Sequence, residues 1–142
     1  NRLFPPTMQE SSRLDFLSRT TGLDKTLGIV YEKLDPDEVI ATMTITPQHL
    51  QPFGYLHGGA SLVLAESAAS VGGYLRCGPG KAAFGMEINA NHLRPKREGT
   101  LRAEARPVFT GRSSQVWEVK ITDENERLIC ISRCTLAVVD AA

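Results

Sequence analysis

The sequence lacks any excess of one charge. Its 16 basic residues balance its 16 acidic residues, so no net field attracts nucleic acid or an anionic membrane surface. No segment approaches the roughly 20 continuous apolar residues of a membrane-spanning helix. The N-terminal residues NRLFPP also lack the basic-then-apolar layout of a secretory leader. We therefore expect a cytoplasmic protein with neither a nucleic-acid nor a membrane partner.

Patterns typical of metal sites and disulfide frameworks are also missing. The chain has three cysteines and three histidines, with no CxxC pair and no zinc-ligand spacing among the histidines. An odd number of cysteines favours reduced thiols. Cys130 and Cys134 lie four residues apart on a predicted strand, so both should pack on one face of the sheet. We expect no metal site.

The order of predicted elements indicates one domain. We treat residues 1–142 as that domain, with residues 1–25 as an N-terminal helix and lead-in. Hydrophobic and turn patterns predict helices and strands along the chain: a helix over 7–20 ending near Gly22, strands over 26–34 and 38–46, a long helix over 59–75, and strands over 82–93, 100–110, 113–122 and 128–139. Strands interrupted by one apolar helix predict an α+β domain with the helix packed on an antiparallel sheet. Trp117 fits either the core or an interface.

The long predicted helix carries one charged residue, Glu66, between Gly58 and Leu75. Its neighbours at helical spacing are apolar or small, namely Leu62, Val63, Ala69 and Ser70. The segment shows no polar face on which a glutamate would simply be solvated. Because an unpaired buried carboxylate is costly, we interpret Glu66 as a general base or nucleophile. The alternative is a structural glutamate at the helix edge or in an ion pair with an arginine of the sheet.

The tripeptide His57-Gly58-Gly59 stands directly before this helix. Two glycines there leave backbone N–H groups open at a helix N-terminus, where the dipole favours negative charge. An oxyanion hole for a thioester carbonyl needs such donors. Glycines are also ordinary turn residues before a helix, so the motif gains meaning from its combination with Glu66.

The segment QPFGYLHGGASLVLAESAAS strongly resembles the hotdog-fold acyl-CoA thioesterases. Within them it is similar to the bacterial PaaI-like branch that acts on 1,4-dihydroxy-2-naphthoyl-CoA and on aryl carrier proteins. The resemblance continues through GMEINANHLRPKREG and GRSSQVWEVKITDENERLICISRCTLAVV, from about residue 27 to residue 139. It implies a hotdog fold, in which about six antiparallel strands wrap around one central helix.

The resemblance also implies the site. Glu66 would attack the thioester or activate water for it, and Gly58 N–H would bind the thioester oxygen with help from His57. Gln51 would lie near the thioester and the attacking water. Further substrate contacts are expected from Ser70, Gly59 and Gly85 near the reacting group, and from two stretches nearer the nucleotide and pantetheine: His92, Leu93, Arg94 and Pro95, and Phe109, Thr110, Gly111, Arg112, Ser113 and Ser114.

Charge supports an outer coenzyme A site. Arg94, Lys96, Arg97 and Arg112 could meet phosphates, although a basic run such as 94–97 is more often a solvated loop. Acyl-CoA or an acyl carrier protein thioester is the expected substrate, and coenzyme A arrives as part of it, so no separate cofactor is expected.

An oligomer is expected as well. In the family, Glu66 of one subunit meets Gln51 and His57 of another, which implies a homodimer or a dimer of dimers. An apolar helix with Gly72-Gly73 near its end also suggests cover beyond one six-stranded sheet.

Three functions remain open from the sequence. The first is hydrolysis of an acyl-CoA thioester, with an aromatic acyl group favoured by the resemblance. The second is a hotdog dehydratase or hydratase, whose histidine stands in a different local pattern. The third is a non-catalytic acyl-CoA-binding protein, against which the intact Gln51, His57, Gly58 and Glu66 argue.

Overall fold

A short helix opens the part of the chain described by the structure, a computed structural model that covers residues 21–141. The helix predicted over 7–20 lies outside these residues. Helix α1 spans Gly22–Leu27, so the prediction that a strand begins at residue 26 is wrong. Thr26 belongs to the helix and donates its hydroxyl to Gly22 O at 3.1 Å. Gly28 ends α1 with φ +73°, a left-handed conformation that favours glycine.

Six antiparallel strands form one sheet in the order β1-β2-β4-β5-β6-β3. Their bounds are Ile29–Asp35 for β1, Glu38–Thr44 for β2, Lys81–His92 for β3, Thr100–Thr110 for β4, Ser114–Thr122 for β5 and Leu128–Asp140 for β6. The last four begin and end within one residue of the predicted bounds. The period-two pattern of the second predicted strand is confirmed, since Val39, Ala41 and Met43 are fully buried.

Helix α2, Gly58–Arg76, packs against the sheet and contacts all six strands. Most of its buried residues are small, which lets the helix approach the sheet closely, and Leu64 and Tyr74 are the two large ones: Ala60, Ser61, Leu64, Ala65, Ala68, Ala69, Gly72, Gly73 and Tyr74. Trp117 lies in the core, fully buried, and so do Cys130 and Cys134. This architecture is the predicted hotdog fold.

Two details of the α2 prediction need correction. Gly72 and Gly73 face the sheet: a Cβ on Gly72 would lie 2.5 Å from Trp117 Cη2, and one on Gly73 would overlap Leu136. They therefore serve packing within the chain and give no support to an oligomer. The helix also has a polar side, because Glu66, Ser67 and Ser70 are all only partly buried. Glu66 is thus half-buried in the single chain rather than buried among apolar side chains.

Candidate active site

His57 caps the N-terminus of α2. Its backbone is extended, and its Nδ1 accepts a hydrogen bond from Gly59 N–H at 2.8 Å. Because Nδ1 accepts, we assign the proton of the neutral ring to Nε2. His57 is exposed, so its Nε2–H is a donor directed away from the helix cap.

Only one of the two glycine N–H groups is open. Gly59 N–H is used by the His57 cap, which corrects the expectation that both glycines are available. Gly58 N–H has no acceptor within residues 21–141, as befits the first residue of a helix. A Cβ at residue 58 would lie 2.7 Å from His92 Nε2, so the close approach of the His92 ring requires glycine here.

The Gln51 side chain holds the loop before α2 in a tight turn. Its Oε1 accepts from Phe53 N–H at 2.5 Å and from Tyr55 N–H at 3.3 Å. Gln51 N–H also donates to Tyr55 O at 2.7 Å. The amide NH₂ of Gln51 keeps its two donors without a partner in the described chain.

These groups open into one concave region, which we call the loop hollow. It has a volume of about 390 Å³ and is lined by Gln51, Tyr55, Leu56, Gly58, Ser61, His92, Leu93, Arg94, Pro95, Lys96 and Ile129. The structure therefore brings the predicted residues 51, 58 and 92–95 together at the N-terminal end of α2. Ser61 is a member that the sequence reasoning missed, although a small polar residue one turn after His-Gly-Gly could have drawn attention to it.

Glu66 lies in a second concave region, the helix hollow. This hollow has a volume of about 320 Å³ and is lined by Leu23, Asp24, Tyr31, Val63, Glu66, Ser67, Ser70 and Val71. Ser70, predicted to lie near the acyl group, is thus beside Glu66. Within the described residues the Glu66 carboxylate makes no hydrogen bond and no ion pair. The structural alternative of an ion pair with an arginine of the sheet receives no support there.

Gly85 makes room for the Glu66 carboxylate. A Cβ at residue 85 would overlap Glu66 Oε1, so only glycine allows the present position of the side chain. The pairing of β3 with β6 shifts register between Gly85 and Glu87, as in a β-bulge, a feature common beside active sites. In the single chain, the Gly85 backbone thus approaches Glu66.

A hydrogen-bonded group that the sequence analysis missed forms one wall of the helix hollow. Asp24 accepts from Tyr31 OH at 2.7 Å and from Ser67 Oγ at 2.6 Å. Burial, together with the Asp24 carboxylate, raises the pKa of Tyr31 well above its usual range. The phenol therefore stays protonated and links β1 to α1, while the Ser67 hydroxyl links α2 to α1. No local pattern showed this group, because its members come from three separate elements.

The Glu66 carboxylate affects the pKa of a buried thiol in the core, that of Cys134. Burial raises the pKa of the Cys134 thiol to about 12, and the carboxylates of Glu66 and Glu87 add to the effect. Cys134 is therefore protonated at neutral pH and serves as a packing residue.

The basic residues after β3 are partly engaged within the chain. Lys96 Nζ lies 2.9 Å from Glu124 Oε1 and 3.4 Å from Asp123 Oδ2, so its charge is paired within the chain. Arg97 stacks on the Tyr55 ring at 4.3 Å and donates to Tyr55 OH. Arg94 donates to Leu128 O at 2.7 Å and keeps its remaining donors.

The second predicted outer stretch lies at the opposite end of α2. Arg76, the last residue of α2, donates to Thr110 Oγ1 at 2.6 Å. An α-helix rises 1.5 Å per residue, so about 27 Å separates this end from Gly58. Residues 109–114 therefore do not join residues 92–95 in one chain. Arg112 is exposed and has no ion pair or hydrogen bond within residues 21–141.

The two hollows are also separate from each other. Glu66 is eight residues after Gly58, which places it about 12 Å farther along the helix axis. No residue lines both hollows. The described residues contain no cluster of three or more His, Cys, Asp or Glu side chains suited to a metal, and none of their helices is long and apolar enough to cross a membrane.

A six-stranded antiparallel sheet packed against one long helix is the hotdog fold of thioesterases. The model of the thioesterase superfamily matches residues 53–130. The chain is 50% identical over 117 residues to a 1,4-dihydroxy-2-naphthoyl-CoA hydrolase of Listeria monocytogenes, covering 82% of this chain and 95% of the relative. A protein of the same name from Escherichia coli is 48% identical, with 80% and 83% covered.

Solved structures agree with this relationship. A thioesterase crystal structure from Haemophilus influenzae superimposes with a TM-score of 0.83 at 40% identity, covering 95% of this chain and 93% of that one. The chain therefore belongs to the thioesterase superfamily. The enzyme class predicted from the sequence, a thioesterase, is confirmed.

Proposed function

We propose that the protein hydrolyses acyl-coenzyme A thioesters, with aromatic acyl groups preferred, at sites that two copies of the chain form together. The names of the Listeria and Escherichia coli relatives, both hydrolases of 1,4-dihydroxy-2-naphthoyl-CoA, support the coenzyme A and aromatic parts of this proposal. The Glu66 carboxylate carries it structurally, since it is half-buried, unpaired within the described chain and accommodated by Gly85.

The reaction follows from the charges of these groups. The Glu66 carboxylate attacks the carbonyl carbon, or takes a proton from a water molecule that does so. Electrons move onto the carbonyl oxygen, which accepts a hydrogen bond from Gly58 N–H with His57 Nε2–H nearby. Collapse of the intermediate breaks the C–S bond, and the coenzyme A thiolate takes up a proton. Where Glu66 itself attacked, water then hydrolyses the mixed anhydride between the acyl group and Glu66, which releases the acid and restores the carboxylate. One water is consumed, and one carboxylic acid and one thiol are released.

The two-copy arrangement follows from the separation of the hollows. A carbonyl held at Gly58 lies too far along α2 for attack by Glu66 of the same chain, given about 12 Å of helix rise. A second copy of the chain can supply the Gly58 N–H that would face Glu66 of the first. The edge strand β3 is 12 residues long and exposes Phe84 and Met86 on either side of Gly85. A long exposed apolar edge of this kind favours association, and here it would bring the partner's loop to Glu66.

The outer contacts fit the same arrangement. Residues 92–95 and 109–114 lie at opposite ends of α2 in one chain, so a single coenzyme A can meet both only across two copies. Arg112, which is unpaired within residues 21–141, is the strongest candidate for a phosphate contact. An acyl carrier protein presents the same pantetheine arm, so it stays a second candidate carrier.

A substrate panel tests the proposal. Values of kcat/KM are measured for benzoyl-, dihydroxynaphthoyl-, phenylacetyl- and palmitoyl-CoA, with thiol release as the readout. We expect release well above background, highest for the aromatic esters. Crotonyl-CoA is included to detect hydration of its double bond, and one benzoyl carrier-protein thioester compares the two carriers.

Two results would contradict the proposal. Hydration of crotonyl-CoA without thiol release would favour a hydratase. Thiol release at the background rate for all esters, despite binding of coenzyme A, would favour a non-catalytic binding protein. Light scattering under assay conditions tests the dimer, and a dimer of dimers is the larger assembly that we predict.

A further inference from the structure

Ser61 carries a hydroxyl that the fold leaves without a partner. The residue is 1% exposed, and its Oγ makes no hydrogen bond in the described part of the chain. A buried hydroxyl without a hydrogen-bond partner destabilises the fold relative to a satisfied one. Every other buried side-chain nitrogen or oxygen of the described residues has a partner. Ser61 is therefore an exception that calls for a physical reason.

The position of Ser61 supplies that reason. It lies on α2 one turn after Gly58, and helical side chains tilt toward the N-terminus of their helix. The Ser61 hydroxyl therefore lies over the turn that contains Gly58, at the floor of the loop hollow. Gly58 N–H is also unpaired. Two donors without acceptors thus share one hollow.

The neighbouring hydrogen bonds limit which kind of atom can be the partner of the Ser61 hydroxyl. Gly59 N–H is already used by His57 Nδ1, and Gln51 Oε1 is used by the loop backbone. What remains open near the helix end is a set of donors, which requires an acceptor atom. The positive end of the α2 dipole favours negative charge on that atom.

We infer that Ser61 is a further catalytic residue, whose hydroxyl donates to the thioester carbonyl oxygen together with Gly58 N–H. This inference rests on the proposed hydrolysis and names a second oxyanion donor for it. A hydroxyl donor differs from a backbone N–H because it can rotate to follow the oxygen as the carbonyl carbon becomes tetrahedral. Its hydrogen bond strengthens as charge develops, so it acts mainly on kcat.

Ser61→Ala tests this role, with Ser132→Ala as a matched control. Ser132 is also a buried serine, 3% exposed, but its hydroxyl donates to Asn89 O at 2.9 Å. We expect S61A to lower kcat roughly 10- to 100-fold with little change in KM. Its melting temperature should stay level or rise, because no hydrogen bond within the chain is lost. S132A should show the reverse, with a lower melting temperature and an unchanged kcat.

A binding measurement separates this inference from the proposed function. Phenacyl-CoA is a thioether that carries a ketone, so it presents a carbonyl oxygen but cannot be hydrolysed. Phenethyl-CoA is the same thioether without the ketone oxygen. Calorimetry should show that the wild-type preference for the ketone shrinks several-fold in S61A. Ser61→Cys, with a weak S–H donor, should recover part of kcat. Wild-type kcat in S61A, or an unchanged ketone preference, would overturn the role of Ser61 even where the wild-type enzyme hydrolyses thioesters.

Discussion

Two carboxylates in this molecule differ in the hydrogen bonds that the chain gives them. Asp123, in the turn between β5 and β6, is buried and accepts hydrogen bonds from Asn125 N–H, Arg127 N–H and Arg127 Nε, all at 2.9–3.1 Å. Glu66, in the middle of α2, is half-buried and has no donor within residues 21–141. The first carboxylate is satisfied by its own chain, whereas the second is not.

The hydrogen bonds of Asp123 give this carboxylate a structural role, which agrees with the contrasting, catalytic role that we propose for Glu66. Burial alone would raise the pKa of Asp123, but hydrogen bonds from the Arg127 and Asn125 backbone and the Arg127 side chain lower it to about 2. Asp123 also contacts Lys96, whose backbone oxygen accepts from Leu56 N–H at 2.7 Å. The turn thereby holds Lys96, which lines the loop hollow together with Leu56. Within the described residues no hydrogen bond joins the Glu66 carboxylate to another element, as the proposed role of a base or nucleophile requires.

Glu66→Gln should produce the largest effect. The variant keeps the shape of the side chain but removes the base and the nucleophile, so we expect kcat to fall roughly 10²–10⁴-fold. The melting temperature should stay level or rise, because the wild-type carboxylate has no partner to lose among residues 21–141. Glu118→Gln, on a partly buried carboxylate of β5, is the control and should keep wild-type turnover. A destabilised but active E66Q would mean that Glu66 is structural.

Asp123→Asn should show the opposite behaviour. An amide cannot accept all the donors that converge on Asp123, so we expect the melting temperature at pH 7 to fall by about 5–10 °C. The kcat of the folded fraction should stay within about twofold of wild type, because Asp123 lies outside the reacting groups. Thermal unfolding and turnover are measured on one preparation. A large loss of kcat with unchanged stability would contradict the structural role of Asp123.

The pH dependence sharpens the same contrast. The folded pKa of Asp123, about 2, lies below its usual value of 3.8, so its stabilisation is complete above about pH 4. It is lost as the pH falls from about 4 toward 2. The wild-type melting temperature should therefore fall across this window. D123N should lose part of that slope, whereas E66Q should keep it.

Arg112→Ala should give the smallest effect. Arg112 is exposed and unpaired within the described chain, so its loss should leave the melting temperature unchanged. If it meets a coenzyme A phosphate, KM should rise by about 3- to 10-fold with little change in kcat. The wild-type KM should also rise with salt. Arg133, on β6, is also exposed and has no ion pair or hydrogen bond within residues 21–141, so Arg133→Ala should change neither constant. An unchanged KM in R112A would place the phosphates elsewhere.

Most of the fold could be predicted because its patterns are local. Strand alternation and the run of small residues in α2 appear within single segments, and turns with glycine or proline separate them. The error came at Thr26, where the first strand was predicted to begin. Gly28 and the hydrogen bond from Thr26 to Gly22 O instead close a helical turn there.

The site was predicted less completely because much of it depends on contacts between distant residues. The motif of His57, Gly58 and Glu66 is short, so sequence reasoning found it. The engagement of Lys96 by Glu124, the Asp24 group and the unpaired Ser61 hydroxyl all require tertiary structure. The separation of Gly58 from Glu66 along α2 follows from helix geometry once both are known to lie on one helix.

Complementation between inactive variants tests the central claim, that each active site combines Glu66 of one chain with the loop hollow of another. One chain carries Glu66→Gln, and the other carries Gln51→Ala with His57→Asn, where asparagine keeps a helix cap. The two are co-expressed with different tags, and mixed dimers are purified through both tags. A mixed dimer has one intact site of two, so we predict about half the wild-type kcat per dimer. Mixed dimers no more active than either parent would contradict the account.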